Sequence, residues 1–206
     1  LKKVLQSIFP SAIIEVKEDT YAAVYAVTKP GEKSIVCILG TGSNCSYFDG
    51  QEVEQRIDSL GYILMDDGSG NYFGRQLLRD YYFNKIPAKM AAIFEESFDL
   101  SSESIKSNLY KKSNPNTYLA TFARFLIENK ENEYSQELIK KGFDLFAINQ
   151  ILQFDNAKSL PIHFIGSIAF YLKDELTVVL NDLGLTIGSV HKKPIEGLVE
   201  YHLKMS

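Results

Sequence analysis

Residues 34–50 read SIVCILGTGSNCSYFDG. An apolar run, Ile35 to Leu39, empties into Gly40, Thr41, Gly42, Ser43 and Asn44, and an alternating run resumes behind them. Two runs of strand-forming residues joined by small, polar ones predict a hairpin. Its tip offers bare backbone N–H groups and short hydroxyls, the donors an anionic phosphate needs. Gly-Thr-Gly also suits an ordinary tight turn, so the tip taken alone leaves both readings open.

Upstream, Leu1 to Phe9 carries helical spacing (Leu1, Val4, Leu5, Ile8), and Ala12 to Val16 (AIIEV) reads as a short buried strand. Lys17 to Thr28 predicts a helix that starts at Glu18, Asp19 and Thr20, residues suited to orphan N–H groups and to the positive end of the helix dipole. Ala22, Ala23 and Ala26 make one face small enough for another element to pack closely, and Lys29-Pro30-Gly31-Glu32 is a breaker between two structural units.

Downstream, Gln51 to Ile57 alternates and would add a third antiparallel strand. Asp66-Asp67-Gly68-Ser69-Gly70 opens a helix with Phe73, Leu77 and Tyr81 on one side. Four helices are expected from Pro87 to Asn156: 87–97, 101–111, 116–129 and 135–153. The last carries a stripe of Leu138, Leu145, Ile148 and Leu152, with Ile139, Phe143 and Phe146 adjoining. Gly142 interrupts it at a cost of about 1 kcal/mol against alanine, so it is either tolerated or closely approached. Leu160 to Gly166 is a strand ending in Gly-Ser, followed by a helix from Ala169 to Leu183, a strand from Leu185 to Val190 and a helix from Pro194 to Lys204. A strand, glycine turn and helix place ligands at helix N-termini in open α/β folds, although the dinucleotide spacing is missing here.

The chain has 206 residues, 45% of them hydrophobic and 23% charged, enough for one substantial core or two modest ones. A net charge of -4 and the lack of any basic, aromatic-rich stretch argue against nucleic acid as a partner. No apolar run approaches the roughly 20 residues of a membrane span, and the start does not resemble a signal peptide, so a cytoplasmic protein is expected. Cys37 and Cys45 flank the tip and form no disulfide framework, and the three histidines (His163, His191, His202) lack ligand spacing, so no metal site is assigned. His163 within PIHFIG reads as a structural side chain. Leu1 begins a helical pattern with neither initiator Met nor cap, so the sequence is expected to be a fragment.

The order of these motifs resembles one family. An Asp at the start of an Ala-rich helix, GTGSN in a hairpin, DDGSG opening a helix, a helical insert and a strand-Gly-Ser-helix are similar to the BadF/BadG-type ATPases, and within them to the N-acetylglucosamine kinase branch of the actin-like, Hsp70-like and sugar-kinase superfamily. The resemblance implies an α/β fold: a ribonuclease H-like (actin-like ATPase) lobe with a mixed sheet and a helical insert, plus remnants of a first lobe. Residues 1–32 would end the N-terminal lobe, 33–190 would form the C-terminal ATPase lobe, and 191–206 would be a helix returning to the first lobe. A family-type phosphate loop, Asp-Gly-Gly-Gly-Thr-Lys, is not found, and roughly 80 further residues would be expected ahead of Leu1.

By the same resemblance Asp19 matches the catalytic carboxylate that orients the sugar hydroxyl, with N-capping as its structural rival. Thr41, Gly42, Gly142, Gly166 and Ser167 match nucleotide-binding positions. Ser43, Asn44, Gly61 and Asp66 match substrate-binding positions. ATP and Mg²⁺ would be the cofactors, a small sugar the partner, and a homodimer is left open. Asp58-Ser59-Leu60-Gly61 departs from the Gly-Gly-Trp-Gly common in N-acetylglucosamine kinases, and the chain has no Trp to stack on a sugar face. Two other readings stand beside the kinase: an ATPase that activates a partner enzyme, whose relatives bridge a dimer through a cysteine-held iron–sulfur cluster, and a non-catalytic sugar- or nucleotide-binding relative.

Overall fold

Residues Ser34–Leu39 form β1, the middle of a five-stranded mixed sheet with strand order β3-β2-β1-β4-β5. The computed structural model describes all residues except Glu15, Pro30 and Ser206, and the side chains of Asp19, His202, Lys204 and Met205 lie outside the description. β2 (Ser43–Phe48) and β3 (Val53–Glu54) continue the antiparallel ribbon, with Cys37 opposite Cys45 and Phe48 opposite Val53. β4 (Pro161–Ile165) and β5 (Thr186–His191) run parallel to β1. A central strand with both faces covered should read as an unbroken apolar run, and SIVCIL does. Ile35, Cys37 and Leu39 enter the large core, while Val36 and Ile38 pack on the opposite cluster.

That opposite face is covered by α2 (Asp19–Val27) and α11 (Ile195–Met205). Ala23, Val24 and Ala26 meet Val36, Phe48 and Ile165 in one buried cluster, with Leu198 of α11 packed against it. The small face read from Ala22, Ala23 and Ala26 has its explanation at Gly197, where a Cβ would lie 2.0 Å from the Ala26 carbonyl oxygen. Tyr25 and Tyr201 stack beside this crossing with centroids 4.5 Å apart. α1 (Lys2–Ile8) buries no residue. The expected strand at 12–16 does not form among its described residues: Ile13 is 96% exposed, and the run has no neighbouring strand to take its backbone groups. β3 is also shorter than expected, because the Asp49 carboxylate takes the Gln51 and Glu52 N–H groups at 2.8 Å each and closes a turn.

The helical insert between β3 and β4 supplies the large core. α3 (Gly70–Tyr82) starts at Ser69, whose hydroxyl accepts the Tyr72 N–H, and buries Phe73 and Leu77. α4 (Ala88–Ser97) and α5 (Ser102–Tyr110) follow. The helix expected over 116–129 is two, α6 (Pro115–Thr121) and α7 (Ala123–Glu128). At the junction the Phe122 N–H turns to the Leu119 carbonyl at 3.1 Å and the Phe125 N–H to that of Phe122, tightening the chain to three-residue bonds. α8 (Glu133–Asn149) ends before the expected 153, and its buried line runs through Leu138, Ile139, Phe143, Phe146 and Ala147, leaving Ile148 exposed. The helix expected over 169–183 is likewise divided at Leu172 into α9 (Ser167–Tyr171) and α10 (Lys173–Asp182). No helix among the described residues is long and apolar enough to cross a membrane.

Candidate active site

Three chain segments converge at the tip that joins β1 to β2. Gly166, at the carboxyl end of β4, lies so close that a Cβ there would sit 2.2 Å from the Leu39 oxygen and 2.9 Å from the Gly40 nitrogen. Its φ of +126° is a second reason for glycine. From the other side, the first N–H groups of α3 hold the tip: Gly70 N–H donates to the Gly40 carbonyl at 2.8 Å and Asn71 N–H to the Thr41 carbonyl at 3.0 Å. These orphan donors at the helix start are therefore taken by the tip. Among the described residues, no protein acceptor takes the N–H of Thr41 or Gly42, and Thr41 is exposed. This is a short nest of free donors at the carboxyl ends of two parallel strands, where ligands bind in open α/β sheets.

Asp66 closes the site from the acidic turn. It is buried, its backbone is left-handed at φ +67°, and its Oδ2 accepts from Asn71 Nδ2 at 2.9 Å. A Cβ on Gly42 would fall 2.8 Å from that Oδ2, so the glycine makes room for the carboxylate. Gly42 and Asp66, chosen separately in the sequence, are thus in direct contact. Asp67 turns away and accepts from Asn149 Nδ2 of α8 at 2.9 Å. Gly61 turns the chain at φ +80°, and its carbonyl takes the Leu64 and Met65 N–H groups, while Arg75 pins the same turn through the Tyr62 and Ile63 carbonyls at 3.0 Å each.

Ser43 and Asn44 are adjacent in β2 and face opposite sides of the sheet. The Asn44 amide oxygen accepts from Ser46 Oγ and Gln55 Nε2 at 3.2 Å each, which ties it within the ribbon. Gly142 is buried in α8 beneath the aromatic rings of α3, where a Cβ would lie 2.5 Å from Phe73 Cε1 and 2.9 Å from Tyr72 Cε1. Its carbonyl lies beside Gly68 of the acidic turn, where a Cβ would come within 3.1 Å of it, so its neighbours are protein rather than open space. Asp19 is the first residue of α2; Glu18 occupies the cap position with no side-chain cap bond, so the capping role weighed for Asp19 is not the one its position has.

Ser167 borders a cavity of about 820 Å³ that also contacts Phe98, Thr121, Arg124, Ile168 and Tyr171. Thr121, Arg124 and Tyr171 are residues that the sequence does not flag, because they come from three separate helices and share no motif. Mixed apolar walls with a few polar groups suit a planar heterocycle. Cys37 and Cys45 lie elsewhere, buried across the ribbon with sulfurs 3.5 Å apart, and burial pushes the Cys37 thiol well up. Such thiols have no surface from which to share a cluster with a second copy. No group of three or more His, Cys, Asp or Glu among the described residues could hold a metal ion. His163 faces the α2 side, where Nδ1 accepts the Ser189 N–H at 2.9 Å; burial lowers its pKa against an opposing pull from Glu32.

A mixed sheet of this order, with free donors at the tip after β1, Gly166 at the end of the parallel β4 beside them and a helical insert between β3 and β4, defines a lobe of the actin-like ATPase fold. The solved structures give that class a family. A protein of Porphyromonas gingivalis described as a "Putative N-acetylglucosamine Kinase" matches with a TM-score of 0.92 and 36% identity, over 98% of this chain and 71% of that one. This chain belongs to the same family of sugar kinases. A protein of the same description from Chromobacterium violaceum matches with a TM-score of 0.69 at 15% identity over 97% of this chain and 71% of its own. A ROK family glucokinase from Streptomyces griseus, solved with glucose and AMPPNP, matches with a TM-score of 0.53 at 15% identity over 98% and 70%. At 15% identity the last two speak for the fold alone. No family model matches the chain, and none of the curated proteins does.

Proposed function

We propose that this chain is the ATPase lobe, with flanking parts of a second lobe, of an ATP-dependent sugar kinase in the BadF/BadG-type branch, acting on N-acetylglucosamine or a related amino sugar. The observation that carries the reading is the juxtaposition at one tip of the Thr41 and Gly42 N–H groups, which no protein acceptor takes among the described residues, with the buried Asp66 carboxylate packed against Gly42. A site for phosphoryl transfer needs anion donors and a sugar-hydroxyl acceptor side by side. Residues 1–32 and 191–206 are assigned to the first lobe and 33–190 to the ATPase lobe.

The residues present fit a nucleotide. Thr41 and Gly42 donate to phosphate oxygens, Gly166 lets the backbone approach, and the cavity beside Ser167 takes the base. ATP with Mg²⁺, when bound, would supply the phosphoryl group and neutralise its charge. Asp19 orients the acceptor hydroxyl and receives its proton, a task for which a weak base suffices when the transition state is loose. Asp66 accepts from sugar hydroxyls and fixes the ring's position. Ser43 and Asn44 contribute to the acceptor side and Gly61 shapes its wall. The test is coupled ADP release by the full-length protein with a panel of hexoses and amino sugars, together with Asp19→Asn. Sugar-stimulated turnover that is lost in Asp19→Asn, with sugar binding retained, is expected; no stimulation by any sugar overturns the assignment.

A further inference from the structure

The acidic turn and α3 share a line of hydrogen bonds in which every donor points the same way. Tyr72 N–H donates to Ser69 Oγ at 3.3 Å, Ser69 Oγ–H to Asn71 Oδ1 at 3.0 Å, and Asn71 Nδ2–H to Asp66 Oδ2 at 2.9 Å. Ser69 is 0% and Asn71 1% exposed. An ionised carboxylate only accepts, so the amide must present its NH₂ to Asp66 and its oxygen to Ser69, and the line has one direction. Donors arranged in series polarise one another, which strengthens the last bond, the one to the charge. Asn71 reaches the site twice: its side chain holds Asp66 and its main-chain N–H holds the Thr41 carbonyl.

We propose that Asn71 is a positioning residue for the acceptor sugar, an inference that rests on the sugar-kinase reading in which Asp66 accepts from substrate hydroxyls. Asn71 is too buried to meet a ligand. It occupies Oδ2 of Asp66, and no protein donor among the described residues takes Oδ1, which is the oxygen left to the sugar. The left-handed backbone of Asp66 leaves the carboxylate without a repetitive element of its own to fix it, and the amide supplies that constraint. The effect of the Asn71 side chain is directed to the sugar, because the residue's bond to the nucleotide loop is made by a main-chain N–H that leucine or aspartate retains.

Two variants separate this role from a structural one. In Asn71→Leu the side-chain bond is lost, and the sugar KM should rise roughly tenfold or more, the scale of one charge-assisted bond, with the ATP KM within about twofold. In Asn71→Asp, which has nearly the same shape, the new carboxyl donates to Asp66 when protonated and repels it when ionised. Its sugar KM should therefore approach wild type at acid pH and climb with pH more steeply than wild type. The other charges around the turn are Asp67, bonded to Asn149, and Arg75, bonded to the Tyr62 and Ile63 carbonyls. The tip and α6 carry no charged side chain, α8 faces the turn with Gly142, Phe146 and Asn149, and burial pushes Tyr72 up to about 12, outside the assay range.

The measurement is steady-state kinetics of the full-length protein and both variants across pH, with thermal unfolding in parallel. A wild type with no sugar-stimulated turnover overturns the kinase reading and this inference with it. A wild type that turns over, with Asn71→Leu raising both KM values alike or Asn71→Asp tracking wild type across pH, overturns the inference alone. If Asn71→Leu fails to fold, the pH profile of Asn71→Asp decides.

Discussion

Gly74→Ala should destabilise the protein although helix propensity points the other way. Within a helix alanine is favoured over glycine by about 1 kcal/mol. Gly74 lies in α3 directly under α6, and a Cβ there would be 1.8 Å from the Leu119 carbonyl oxygen and 2.7 Å from its carbon. The obstacle is backbone, so no side-chain rotation relieves it, and α6 must retreat by roughly 1 Å to restore van der Waals contact. The same carbonyl accepts the Phe122 N–H at 3.1 Å, so displacement also disturbs the turn between α6 and α7. Overpacking of this kind costs about 1–3 kcal/mol, occasionally more, and backbone collision belongs at the upper end. The propensity gain offsets part of it, leaving a net loss of about 2 kcal/mol, or about 4–8 °C in Tm for a domain of this size. Urea and thermal unfolding followed by circular dichroism measure it. An unchanged or raised Tm would mean that the α3–α6 contact does not need a glycine, and the reasoning would be refuted.

Gly166→Ala should lose more than Gly74→Ala, because a side chain at φ +126° adds backbone strain of order 1–3 kcal/mol to a 2.2 Å collision with Leu39; the two variants compared in one urea series decide, and a smaller loss at Gly166 contradicts the geometry. Stability should fall as pH drops below about 6.5, because burial holds His163 below the ordinary histidine range and the unfolded chain binds its proton more readily. His163 contributes at most about 1.4 kcal/mol per pH unit to that slope, which should flatten in His163→Gln; identical slopes would remove His163 as the cause. Cys37 and Cys45 should resist a thiol reagent at neutral pH in the folded protein and both react after unfolding, and rapid labelling of the native chain would contradict their burial.

Some of this was legible in the chain and some was not, for reasons that differ by residue. The tip between β1 and β2 and the start of α3 were legible because local chemistry dictates them: strand formers interrupted by glycine, and a serine placed to cap. Ala12 to Val16 has the composition of a strand and is not one among its described residues, because a strand exists only where a neighbour takes its backbone groups. The helical pattern of 116–129 continues unbroken through Phe122, and the three-residue bonds that divide it start from the Leu119 carbonyl, which lies against Gly74, more than forty residues away. Gly142 was visible as an anomaly, while the rings of Tyr72 and Phe73 that require it were not. Asn71 carried no signal at all, since an asparagine in the first turn of a helix is unremarkable until Asp66 is seen against it.

By itself the sequence determined the strands β1, β2, β4 and β5 with the helical insert between them, the turn chemistry of Gly40 to Asn44 and the acidic turn ahead of α3, because these depend on φ, hydrogen-bond donors and periodicity within a few residues of each other. Tertiary structure alone decided that Gly42 makes room for Asp66, that Gly166 and α3 brace the tip from two sides, and that Asn71 joins the acid to the loop. Those relations are close approaches between segments remote along the chain, and they exist only once the sheet and the insert have packed.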